Sequence, residues 1–102
     1  MSTTAIRVKN ESQPARVAGA IAHAVREREF RRELNLEVTA IGQQAVYVAI
    51  KALARAQGYL AAERPDLYLG FCAGTRQVTA GEALAEAHQV RYVFRLGWLE
   101  GL

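Results

Sequence analysis

The stretch Ala40 to Tyr59, AIGQQAVYVAIKALARAQGY, limits the fold more than any other part of this chain. An apolar strand runs straight into Gly42, and a long alanine-rich helix follows. That helix carries Lys51 and Arg55 and is expected to stop at Gly58. A strand, a tight turn and a helix in direct succession need a sheet for the helix to lie on. The segment holds no catalytic constellation. It offers a helix N-terminus with open backbone donors and a positive outer face, a combination suited to an anion or a nucleic acid.

The flanking segments extend this pattern. Ile6 and Val8 alternate with Arg7 and Lys9, which predicts a half-buried strand over Ala5–Lys9 after a frayed start at residues 1–4. Ser12 is placed as an N-cap and Pro14 in the first turn of a helix running to about Arg32. Its apolar stripe is Val17, Ala20, Ile21, Ala24 and Val25, and Gly19 inside it implies a close neighbour. Leu36–Ile41 reads as the second strand and Gln43–Gln57 as the second helix, with Val46, Ala49, Ile50, Leu53 and Ala56 facing inward. Asp66–Cys72 reads as a third strand burying Leu67, Leu69 and Phe71, and Gln89–Leu96 as the last. Between them, residues 74–88 fit either a short helical turn at Glu82–Ala87 or a long hairpin arm. Trp98 and Leu99 in the tail need cover. The order β-α-β-α-β-β, with both helices joining strands, predicts an α/β two-layer sandwich with a mixed sheet and both helices on one face. The other face would carry Arg7, Thr39, Tyr68, Arg91 and Arg95.

A chain of 102 residues holds one core, so residues 1–102 are read as a single domain, one that would gain from assembly. Hydrophobic content of 51% with 23% charged residues excludes a disordered chain. The net charge of +3 and pI near 9.4 permit nucleic acid without demanding it. No apolar run is long enough for a membrane span, and MSTTAIRVK lacks a hydrophobic signal region, so a cytoplasmic protein is expected. The single cysteine, Cys72, sits in an apolar run and reads as a core residue.

The titratable groups give no enzyme. His23 and His88 have no partner at ligand spacing, and one cysteine excludes a thiolate zinc site within the monomer. Glu27, Glu29, Glu33 and Glu37 are interleaved with arginines and read as surface pairs. Neither a G-x-G-x-x-G nor a P-loop motif is present, so no nucleotide cofactor, and no metal, is expected. Gly42 fits a tight turn, or a turn that brings the N–H groups of Gln43 and Gln44 to a phosphate. Lys9 and Arg16 bracket the first strand–helix junction. Lys51 and Arg55 share a helical face with Tyr47, which would stack on a base, and Arg76 and Arg91 flank the hairpin arm.

The runs VAGAIAHAVRE at Val17–Glu27 and AIGQQAVYVAIKALARAQGYL at Ala40–Leu60 resemble the stage V sporulation protein S family. The initial IRVK, the Ser12-x-Pro14 turn and Asp66 fit the same pattern, and the similarity covers about Ile6 to Leu69. The resemblance implies the fold of the Alba chromatin proteins and of the C-terminal domain of translation initiation factor three. It implies a non-enzymatic, sporulation-related, regulatory protein that binds DNA or RNA backbone, as a homodimer or higher homo-oligomer. By analogy with Alba, the contacts map to Lys9–Arg16, Gly42–Gln44 and Arg76–Arg91. The chain departs from the family at Tyr47-Val48, where an amide pair is usual, and at Glu11, whose charge opposes phosphate. The expected set is therefore Lys9, Arg16, Gly42, Gln43, Gln44, Lys51, Arg55, Arg76 and Arg91. Two other readings fit the same sequence: a protein-interaction or assembly module using Tyr68, Val93 and Trp98, and a small-anion site at Gly42.

Overall fold

Alternation of Ile6 and Val8 with Arg7 produces the first strand, β1, at Thr4–Val8. The structure is a computed structural model that describes residues 2–77 and 90–101. After β1 come α1 (Pro14–Glu27), β2 (Leu36–Ile41), α2 (Gln43–Ala61), β3 (Leu69–Gln77), β4 (Val90–Trp98) and a 3-10 turn at Leu99–Gly101. The strands form one sheet in the order β1-β2-β4-β3. β1 is parallel to β2, whereas β4 is antiparallel to both β2 and β3. The helices pack on each other and on the sheet, giving the Alba-like two-layer α/β sandwich expected from the sequence.

The register separates the two sheet faces. Ile6 and Val8, Leu36, Val38 and Ala40, and Phe94, Leu96 and Trp98 point toward the helices and join the core. α1 meets them with Val17, Ala18, Ile21, Ala22, Ala24 and Val25. α2 contributes Ala45, Val48, Ala49, Ala52, Leu53, Ala56 and Leu60. The buried stripes are rotated from those predicted. Ala20 and Ile50 are exposed, whereas Ala18, Ala22, Ala45 and Ala52 are fully buried. Each helix covers the sheet and also abuts its neighbour, so its buried arc follows two contacts rather than one. Gly19 is exposed, and a Cβ there would meet nothing within 4 Å, so no close neighbour explains this glycine.

Helix ends differ from the sequence reading for local reasons. α1 stops at Glu27 instead of near Arg32 because Glu29 and Phe30 both adopt φ 54°. Such conformations are uncommon outside glycine and are held here by side chains. The Phe30 ring stacks on Trp98 at 6.2 Å and lies under the Arg64 guanidinium at 5.5 Å. Arg28 binds the same corner: its guanidinium donates to the Leu34 carbonyl (2.6 Å), the Ala24 carbonyl (3.1 Å) and Thr4 Oγ1 (2.8 Å). Arg64 also forks onto Asp66, and this hydrogen bonding holds the Asp66 carboxyl below its ordinary value. Ser12 does not cap α1. Its Oγ instead accepts from the Lys9 backbone N–H at 2.9 Å and closes the turn, leaving Gln13 at the N-cap. α2 passes through Gly58 to Ala61, since Leu60 buries its side chain in the core and rewards one more turn.

The last two strands are longer than predicted. β4 runs to Trp98, which is buried and donates its indole N–H to the Arg31 carbonyl at 2.8 Å. β3 starts at Leu69 and continues to Gln77, beyond the cover of the helices. Phe71 is consequently 39% exposed, not buried, and Cys72 is exposed on the opposite face rather than in the core. The expectations for Glu82–Ala87 and His88 lie outside the described residues.

Three substitutions test these local arguments. Gly42 has φ +93°, and an added Cβ would only touch Asn10 Oδ1 at 3.7 Å, so the cost of Gly42→Ala is backbone strain. Gly42→Ala is expected to lower stability by about 1–3 kcal/mol in urea titrations. Gly58→Ala, inside the final turn of α2 with open space around the new methyl, should raise it by about 0.5–1 kcal/mol. Trp98→Phe keeps a ring against Phe30 but removes the donor to Arg31. A loss of about 1 kcal/mol is expected, read by circular dichroism because this is the chain's one tryptophan.

Candidate functional site

The sheet face away from the helices has its own pattern, set by strand register. One cross-strand row is Ala5, Glu37, Arg95 and Cys72. The next is Arg7, Thr39, Val93 and Gly74, and the third joins Ile41, Arg91 and Arg76. Although no helix of the described residues lies over this face, Glu37 and Thr39 are only 7% and 3% exposed, and Val93 is 8% exposed. Long side chains lie over the central strands. Arg76 reaches back across β4, and its Nη1 donates to Glu37 Oε1 at 3.1 Å. Glu37 is thus a covered acid paired across the sheet, not the local surface pair predicted. Its charge is compensated where removal of the partner would leave a poorly solvated carboxylate.

Parallel pairing of β1 and β2 puts the turns that follow them at the same end of the sheet. There, Arg7, Val8, Lys9, Asn10, Glu11, Thr39, Ala40, Ile41, Gly42 and Arg91 line a cleft of about 380 Å³. Three cationic side chains, Arg7, Lys9 and Arg91, share this lining with one acid, Glu11. Gly42 is the N-cap residue of α2, and neither that helix nor α1 has an acidic residue in its first turn. The first N–H groups of α2 therefore have no side-chain cap and no acidic residue in their own turn, and Glu11 is the one carboxylate in the cleft lining beside them.

Of the residues singled out from the sequence, Lys9, Gly42 and Arg91 come together in this cleft. Gln43 and Gln44 are exposed beside it at the start of α2, and Arg16 is exposed in the first turns of α1. Lys51 and Arg55 lie on the exposed side of α2, roughly 12 and 18 Å along the helix axis from Gln43. Lys51 Nζ sits 5.2 Å from the Tyr47 ring centroid, so this aromatic is already engaged by its neighbour one turn on. Arg76 is drawn toward Glu37. Of the nine, Lys9, Gly42 and Arg91 thus line the cleft, Gln43 and Gln44 flank it, Lys51 and Arg55 form a separate ridge on α2, and Arg16 and Arg76 lie apart on α1 and β3. Arg7 was placed on the correct face but not in the site. The alternation of Ile6 and Val8 with Arg7 and Lys9 carried the signal, because it sends both cations to one side of a strand that ends at the cleft.

Among the described residues, no group of three or more His, Cys, Asp or Glu side chains could hold a metal ion. His23 lies on the outer side of α1, 3.3 Å from Glu27 one turn later, as its position in the sequence suggested. Among the same residues, no helix is long and apolar enough to cross a membrane.

A search of curated proteins finds no match. The family model described as stage V sporulation protein S matches residues 4–71. That span runs from the first residue of β1 into the start of β3 and includes every residue lining the cleft except Arg91. With the family's span falling on the two strand–helix units that build the sandwich and its cleft, the chain belongs to the stage V sporulation protein S family.

Proposed function

We propose that this protein is a non-enzymatic nucleic-acid-binding protein, regulatory in role, that grips the sugar–phosphate backbone of DNA or RNA. The observation that carries the reading is the grouping of Arg7, Lys9 and Arg91 around one cleft at the N-terminus of α2. Guanidinium groups suit phosphate because they present a fixed fork of donors. The open N–H groups at Gly42–Gln44 add donors that need no side chain to be ordered. Family membership supports the reading through the resemblance to Alba, whose contacts map to the same turn, helix start and hairpin.

In this reading Lys9 and Arg91 hold one stretch of backbone, while Gln43 and Gln44 donate at the rim. Arg16, Lys51, Arg55 and Arg76 make outer contacts with a longer duplex or strand. Phosphate contacts carry no sequence information, so little base preference is expected. A homodimer or higher homo-oligomer would repeat the cleft and let one nucleic acid meet it more than once.

A salt series separates this from an assembly role without nucleic acid. Affinity for a mixed-sequence duplex or single strand is expected to fall linearly on log–log axes, with a slope of about −0.9 per duplex phosphate contact. Lys9→Ala should weaken binding to every sequence alike and reduce that slope by about 1. Arg55→Ala, farther along α2, should change it less. Absence of binding to both DNA and RNA at low salt would sink the proposal and leave the assembly reading in its place.

A further inference from the structure

Gly70 and Gly97 face each other across β3 and β4. Gly97 stands between Leu96 and Trp98, and Gly70 follows Leu69, and all three of these neighbours are buried in the core. Alternation therefore turns both glycines to the open side of the sheet. Glycine weakens a strand interior, and it is kept there for a positive φ, for a bulge or for something that comes close to the backbone. Neither residue has a positive φ. The register runs unbroken from Leu69↔Trp98 to Gln77↔Val90, so there is no bulge. Close approach is the reason that remains, and no helix or strand of the described residues lies over this face. Both glycines are partly exposed, so the space above them opens to solvent.

The neighbours of this bare pair indicate what would approach it. In one direction the next row on the face is Cys72 and Arg95, both exposed. In the other lies Tyr68, 61% exposed between the inward-facing Leu67 and Leu69. The Tyr68 carbonyl accepts from the Leu99 N–H at 2.7 Å, which carries the pairing of the two segments past Leu69↔Trp98. Tyr68 and Arg95 thus stand at either end of a gap of roughly 13 Å, floored by peptide groups alone. Beyond Arg95 the face carries Arg7, Arg76 and Arg91. The one acid that its strands hold is Glu37, already paired with Arg76.

We infer that the open face of the sheet takes an unpaired stretch of nucleic acid, with one base over the Gly70–Gly97 pair between Tyr68 and Arg95. Its backbone runs along the arginines of β4 toward the cleft. Aromatic rings and guanidinium planes both stack on bases, and the two missing side chains give a base room to lie between them. Arg91 and its neighbours supply contacts to phosphate. A duplex keeps its base faces stacked against one another, so it can use the arginines but not the gap. An acidic peptide also suits the arginines, but its carboxylates have no use for a bare floor beside a tyrosine. The inference rests on the nucleic-acid reading above. It adds the form of nucleic acid and a second contact surface, joined to the cleft through Arg91.

Fluorescence anisotropy tests this with the full chain and three probes: a labelled single strand of mixed sequence, the duplex of that sequence, and polyglutamate. At equal salt the single strand should bind more tightly than the duplex. Tyr68→Ala should weaken single-strand binding about tenfold and leave duplex binding unchanged, while Tyr68→Phe keeps the ring and the affinity. Gly97→Val fills the gap with a side chain suited to strands and should give the same selective loss. Arg95→Ala should lower the salt slope of the single strand by about 0.7. Tyr68 is exposed, so its variants decide the matter even if Gly97→Val does not fold. Nucleic-acid binding that Tyr68→Ala leaves unchanged, or lowers equally for both forms, overturns this inference alone and leaves the cleft reading standing. Polyglutamate bound as tightly as the single strand does the same. No binding of either nucleic acid at low salt overturns both.

Discussion

The structure depends on β2 being buried on both faces. Leu36, Val38 and Ala40 seal one side against the helices, while Glu37 and Thr39 are covered on the other by groups from neighbouring strands. A strand in that position must have hydrogen-bonded neighbours along both edges, and it has them in β1 and β4. Because β1 is joined to β2 through a helix, the two run parallel, and β4 supplies the antiparallel partner. The alanines of α1 and α2 follow from the same constraint. Two helices can lie side by side over so small a sheet only if their contact surfaces are slim, as Ala18, Ala22, Ala45, Ala49 and Ala52 allow.

Parallel pairing also decides where the polar chemistry gathers. Both strand–helix turns emerge at one end of the sheet, and antiparallel β4 brings Arg91, its second residue, to the same end. Lys9, Gly42 and Arg91 are far apart in the chain and adjacent in space for that reason alone. Gly42 reconciles the demands of the turn, since its φ of +93° lets β2 pass into α2 with no intervening loop. At the opposite side of the sheet the helical layer ends before β3 does, so the hairpin leaves the sandwich with Phe71 and Cys72 uncovered.

The corner formed by Phe30, Trp98, Arg28 and Arg64 links the layers at the far end. It replaces the last turn of the helix that charge and propensity favoured, and holds two residues in the left-handed region. The residues Arg26–Glu33 alone do not announce this, because Thr4, Arg64 and Trp98 reach the corner from distant parts of the chain. Tertiary contact has overridden propensity here, which is a weak preference summed over few residues.

By itself the sequence determined the order of elements, the inward-facing residues of β1 and β2, the Gly42 turn and the family. These follow from alternation, helical spacing and short-range chain geometry, all of which are written within about one turn or one strand of the residue concerned. Lys9, Gly42 and Arg91 were each legible, at the first strand–helix junction, the second and the hairpin arm, but as three of nine residues and not as a group. Only the tertiary structure decided that Arg7 joins them, that Lys51 and Arg55 belong to another ridge, and that Arg76 turns to Glu37. It also decided that Cys72 is exposed, since an apolar run looks the same whether or not a helix covers it. The physical reason is common to all four. Which residues share a surface depends on strand register and on how far the helical layer extends, and both are set by packing between segments distant in the chain.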